Sequence, residues 1–118
     1  MNGELSFFEL GVGDVGRARE FYGGLFGWDF VPEGNGATIE TPNIPGGIHG
    51  GDEGASPYVF FRVADLDAAL ARVRELGGEE GDYSSDDSPE SVARFGRFVL
   101  CKDNQGSGFG LHEPPTGI

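Results

Sequence analysis

The sequence is poor in cations, cysteine and long apolar runs, and each shortage removes a class of function. One lysine (Lys102) and seven arginines stand against twenty acidic residues, a formal charge of −12 over 118 residues. A surface that grips a phosphate backbone works by releasing counterions from clustered Lys and Arg, so nucleic acid is not an expected partner. The single cysteine, Cys101, excludes an internal disulfide, a CxxC redox pair and a cysteine-built zinc site. Flanked by Val99 and Leu100, with only Lys102 beside it to activate it, it reads as a packed thiol. No stretch approaches the roughly 20 apolar residues of a membrane helix, and Met1-Asn2-Gly3-Glu4 has neither the basic start nor the apolar run of a signal peptide. A cytoplasmic protein that does not enter membranes is expected. Residues 1–118 are expected to form one domain, because a chain of this size buries roughly 65% of its unfolded surface.

Glycine is what the chain has in excess, with 22 residues gathered mostly at 34–36, 46–54, 77–81 and 106–110. Glycine inside a helix costs about 1 kcal/mol relative to alanine, so these clusters mark turns between short strands. Leu5 to Val12 alternates like a strand, Asp14 suits a helix N-cap, and Val15, Ala18, Phe21, Tyr22, Leu25 and Phe26 recur at helical spacing before Gly27. Trp28 to Val31 and Ala37 to Thr41 flank a turn-forming Pro32-Glu33-Gly34-Asn35-Gly36, and a short strand holds Gly47-Ile48-His49. The pattern then restarts: strand Tyr58 to Val63, cap Asp65, and a helix with Leu66, Ala69, Leu70, Val73 and Leu76 ending at Gly77-Gly78.

Weak strand Glu79 to Asp82 follows, then a polar stretch from Ser84 to Ser91 expected as a loop or lid, and strands Arg97 to Cys101 and Phe109 to His112. Asp14 and Asp65 are 51 positions apart, whereas Gly47 and Gly110 are 63 apart, so the second copy is longer by its acidic, serine-rich stretch. A duplicated βαβββ unit is implied, module one over about 1–54 and module two over about 55–118. The fold class is α+β, with helices outside and two sheets curled around a shared interior whose cleft suits a small molecule.

Leu10-x-Val12-x-Asp14 leading into Ala18-x-x-Phe21-Tyr22-x-x-Leu25-Phe26-Gly27-Trp28 resembles the vicinal oxygen chelate superfamily of glyoxalase I, bleomycin-resistance proteins and extradiol dioxygenases. Val63-x-Asp65-Leu66-Asp67-Ala68-Ala69, Leu76-Gly77-Gly78, and the run from Gly96-Arg97-Phe98 to Asp103-x-x-Gly106-x-x-Phe109-Gly110-Leu111 extend that resemblance over nearly the whole chain. It implies a cup-shaped, partly open β-barrel, a homodimer, and in many members a divalent metal that chelates substrate through adjacent oxygens. Metal-using members carry a ligand seven residues before each capping Asp and a carboxylate on each module's last strand. Those positions here are Phe7, Tyr58, Gly47 and Gly110, so the usual site is not expected and no cofactor is assigned.

Strand residues two apart share a face, which makes Glu9, His49 and His112 the candidates for a displaced divalent-metal site. Such a site would serve a metal-dependent lyase, isomerase or dioxygenase, the alternative to a protein that binds a small organic molecule without metal. Glu9, desolvated among Phe7, Phe8 and Leu10, is the candidate general base. Phe7, Trp28, Tyr58, Phe60 and Phe109 are the candidates for an aromatic ligand-binding wall. Gly46 to Gly51 lacks the strand-to-helix setting of a phosphate loop, Asp82, Asp86, Asp87 and Glu90 lack calcium-loop spacing, and no Ser, His and Asp sit in a recognisable nucleophile motif.

Overall fold

The computed structural model describes residues 2–84 and 88–115. Its residues form two compact units, Phe7–Val59 and a second that joins Met1–Ser6 to Phe60–Ile118. The α+β class and the doubling of the strand-helix-strand pattern read from the sequence are both present.

The first unit takes β1 (Leu5–Gly11) from Phe7 onward, then α1 (Val15–Phe26), β2 (Asp29–Glu33), β3 (Gly36–Glu40) and β4 (Gly46–His49). The Asp14 carboxylate accepts from the Arg17 amide at 3.0 Å and so satisfies one of the four unpaired N–H groups that open α1. Gly27 closes the helix in the left-handed region at φ 74°, where a Cβ would be strained. Strand order is β2-β3-β4-β1, with β1 and β4 parallel and the other pairs antiparallel. Leu10, Ala18, Ala37, Ile39 and Ile48 form the core under α1, with Phe8, Val12 and Trp28 packed against it. The alternation of β1 therefore turns Phe8 and Leu10 toward the helix and leaves Phe7 and Glu9 on the face that α1 does not cover.

Helical spacing predicts that Phe21, Leu25 and Phe26 join this core. They remain 62%, 60% and 55% exposed. The burial side of α1 is narrower than its apolar stripe, and Ala18 is its only fully buried residue.

The second unit takes β5 (Tyr58–Arg62) from Phe60 onward, then α2 (Leu66–Glu75), β6 (Glu79–Ser84), α3 (Pro89–Phe95), β7 (Arg97–Lys102) and β8 (Gly108–Glu113). Strand order is β5-β8-β7-β6, with β5 and β8 parallel. Asp65 caps α2 by accepting from the Ala68 amide, and Val63, Leu66, Leu70, Val99, Cys101 and Leu111 form the core beneath it. The first residues of the chain belong here because Gly3 donates to the Arg62 carbonyl and Arg62 donates back to Glu4.

The loop expected from Ser84 to Ser91 is corrected in its second half, where α3 begins. Ser88 accepts from the Ser91 amide, Pro89 takes the first helical turn and Glu90 suits its positive end. Asp86 and Asp87 of that stretch lie outside the described residues.

Candidate functional site

Register places the first site. Glu9 on β1 lies opposite Gly47 of β4, and Gly11 lies opposite His49. A Cβ on Gly47 would occupy the place of Glu9 Oε1, and a Cβ on Gly11 would occupy that of Asp52 Oδ2, so both glycines make room for carboxylates. Past β4 the chain turns through Gly51 at φ 70°, and the Asp52 amide is pinned to the Val12 carbonyl at 2.9 Å.

The outcome is a row of linked groups within the first unit. Glu9 Oε2 is 2.6 Å from His49 Nδ1, His49 Nε2 is 2.9 Å from Asp52 Oδ2, and the Tyr58 hydroxyl donates to the same oxygen at 2.8 Å. Burial pushes the Glu9 carboxyl above its ordinary pKa, and the histidine only partly offsets this. Burial also works against a charged His49, but the bonds to Glu9 and Asp52 outweigh it and raise its pKa. Donation from His49 and Tyr58 lowers that of Asp52, and the bond to Asp52 raises that of Tyr58. In its protonated form the imidazole donates from both nitrogens to two carboxylates.

The displaced triad of Glu9, His49 and His112 is corrected by where His112 sits. It belongs to the second unit, only 5% exposed, with Nδ1 2.6 Å from Ser6 Oγ and Nε2 2.7 Å from the Phe95 carbonyl oxygen. Both ring nitrogens are committed to those bonds. Among the described residues no three His, Cys, Asp or Glu side chains are grouped to hold an ion.

The cation implied by the resemblance also finds no fit at its usual positions. Phe7 offers no lone pair, the space beside Gly47 is filled by the Glu9 carboxylate, and the space beside Gly110 is filled by the Phe60 ring.

Of the five aromatic candidates, Phe7 shares the Glu9 face and Tyr58 joins the row. Trp28 instead packs with Phe8, Tyr22 and Phe26 beside the α1 core, ring centroids 4.6 to 5.9 Å apart. Phe109 packs on the α2 core, and Phe60 is buried edge-on to Phe98 at 5.2 Å. Trp28 and Phe109 thus pack against the two cores, whereas Phe60 is buried outside both, its ring in the space beside Gly110. Sequence reading missed Asp52 and Ser6. The glycine pair between His49 and Asp52 was the available signal for the first, because it lets the chain bring the two side chains together; Ser6 had none.

Comparisons with known proteins agree with this architecture. Residues 5–42 match the family model described as bleomycin resistance protein-like N-terminal. A glyoxylase-like domain-containing protein of Didymella fabae is 32% identical over 94 residues, 68% of this chain and 73% of that protein. The anthracycline biosynthesis protein DnrV of Streptomyces peucetius is 31% identical over 132 residues, 92% of this chain but 46% of that protein. The chain therefore spans less than half the length of that relative.

Among solved structures, methylmalonyl-CoA epimerase from Mycobacterium tuberculosis superposes with a TM-score of 0.67 at 23% identity, over 94% of this chain and 87% of that one. A catechol 2,3-dioxygenase gives 0.68 at 20% identity, over 97% and 41%. At those identities the likeness is one of fold.

Proposed function

The chain belongs to the vicinal oxygen chelate superfamily, and from that premise we propose that it binds a small, planar organic molecule on the sheet face of its first unit that α1 leaves uncovered. The observation that carries this reading is the row Glu9, His49, Asp52 and Tyr58, seated in gaps left by Gly11 and Gly47. Phe7, on the same face, supplies an apolar side. Few, well-placed polar groups beside an aromatic wall are the usual make-up of a small-molecule site.

The ligand class is an uncharged, hydroxylated aromatic molecule. Phenolic hydroxyls complement a carboxyl and an imidazole, and a chain of net charge −12 disfavours polyanions such as coenzyme A esters. The relative named for anthracycline biosynthesis supports the same class. Glu9 is the acid–base group within the site, its proton connected through His49 to the more exposed Asp52.

Titration calorimetry with hydroxylated anthraquinones and with an acyl-coenzyme A tests this. The quinones bind, the thioester does not, and Glu9→Gln or His49→Ala weakens binding about tenfold, or about 1.4 kcal/mol. Equal binding of both ligand classes, or quinone affinity unchanged in both variants, contradicts the proposal.

The same reading places the protein in the cytoplasm as a homodimer. No described helix is long and apolar enough to cross a membrane. The occupant of the exposed Phe21, Leu25 and Phe26 face is a second copy of the chain. In a molecule of charge −12, α1 carries Arg17 and Arg19 against Glu20 alone, so this helix does not share the acidic excess that keeps copies apart.

A further inference from the structure

The second unit holds a nucleophile and a base already in contact. A carbonyl oxygen only accepts, so the 2.7 Å bond to Phe95 places the proton of a neutral His112 on Nε2. The Ser6 hydroxyl then donates into the Nδ1 lone pair at 2.6 Å. The ring is held by stacking on Phe98, centroids 4.1 Å apart and planes 3° from parallel. This is the arrangement that activates a hydroxyl: nucleophile on base, base oriented by a third group. Ser6 is half-buried rather than enclosed. Arg62, the register partner of His112 on β5, shares its sheet face and acts on the imidazole through its charge. Its side chain is 46% exposed, with Nε 3.7 Å from Glu4 Oε1 in a solvent-facing ion pair. Ser6 and His112 lie 106 positions apart, so no local motif announces them.

We propose that Ser6, activated by His112, is an acyl-transfer nucleophile for esters with good leaving groups, independent of the Glu9 row. Ser6 Oγ bonds to the ester carbonyl carbon while its proton passes to His112 Nδ1. The Phe95 carbonyl holds the resulting imidazolium through its Nε2–H, and Arg62 is the cation that meets the oxyanion. Collapse breaks the bond to the leaving group, which departs with the proton from His112 and leaves acyl-Ser6. Water then repeats the sequence: its oxygen bonds to the acyl carbon, its proton passes through His112 to Ser6 Oγ, and the carboxylic acid is released. The balance needs no oxidant, reductant or metal.

The test is p-nitrophenyl acetate with the full chain, read by nitrophenolate release, intact mass and peptide mapping. The expected result is one acetyl group per chain on the Ser6 peptide, absent in Ser6→Ala and retained in Ser6→Cys, with Arg62→Met acylated about tenfold more slowly. Burial lowers the pKa of His112, so the acylation rate holds as the pH falls to about 6.5 and drops only below it. Acetylation confined to Lys102 or other residues, or an equal yield in Ser6→Ala, overturns the proposal. Should Ser6→Ala fail to fold, the wild-type protein decides alone, because an unmodified Ser6 with no nitrophenolate release above the uncatalysed rate under excess reagent also overturns it.

Discussion

At the scale of single residues, two glycines decide whether the Glu9 row exists. A methyl group on Gly47 would compete with the Glu9 carboxylate for one position, and the strand pairing with Glu9 leaves the backbone little room to yield. Gly47→Ala is expected to cost about 1–3 kcal/mol, the range of overpacked interiors, and to weaken ligand binding as much as Glu9→Gln does. Urea denaturation and calorimetry on one sample measure both; an unchanged affinity would detach Glu9 from the site.

The pH dependence of stability follows from the same row. Folding raises the pKa of His49, so its bonds to Glu9 and Asp52 add stability that is whole below the unfolded value of about 6.5 and is lost as pH rises through the folded value. Glu9, also raised, acts in the same direction in a more acidic window. Asp52, lowered, acts in the opposite one, its contribution fading as the medium turns acid through its folded value. The unfolding free energy is therefore expected to fall from pH 6 to pH 9 by less than about 1 kcal/mol, because half-exposed pairs are screened, and to fall less in His49→Gln. An identical slope in the variant would count against the charged histidine.

At the scale of elements, capping residues carried most of what could be read in advance. Asp14 and Asp65 stand where helix N-caps were expected, and replacing either by Ala is expected to cost about 1 kcal/mol in thermal or chemical unfolding. Helix α3 went unread although Ser88-Pro89-Glu90 is a start signal, because a two-turn helix in a polar run has no apolar period to announce it. Spacing also predicted α1 without revealing what covers it. Periodicity defines a stripe, and only packing defines how much of that stripe is used. Gly24 sits in that helix with nothing within 4 Å of where its Cβ would be. Gly24→Ala is expected to raise stability by up to about 1 kcal/mol in the monomer. Phe21→Ser with Leu25→Ser is expected to leave the melting temperature nearly unchanged while abolishing self-association in analytical ultracentrifugation. A wild-type monomer would refute the pairing.

At the scale of the whole molecule, strand parity made half of the site legible. Glu9 and His49, two of the three displaced metal-ligand candidates, meet because residues two apart share a face and the parallel register of β1 and β4 brings their strands together. The same parity could not foresee that His112 spends one nitrogen on Ser6, 106 positions away, and the other on the backbone carbonyl of Phe95, since neither partner leaves a trace in the strand pattern. Asp52 was hidden for a different reason: it acts from a turn, where neither period applies. Trp28 and Phe109 show the limit of composition, because an aromatic residue serves a core as readily as a ligand wall.

The central claim is a location, the sheet face of the first unit that α1 leaves uncovered, and amide chemical-shift mapping with a saturating hydroxyanthraquinone tests it most directly. Perturbations are expected to gather at Phe7, Glu9, Gly11, Gly47, His49, Asp52 and Tyr58. Perturbations gathered instead around the cavity of about 290 Å³ that Leu66, Arg74, Glu80 and Arg97 help to line would contradict the account.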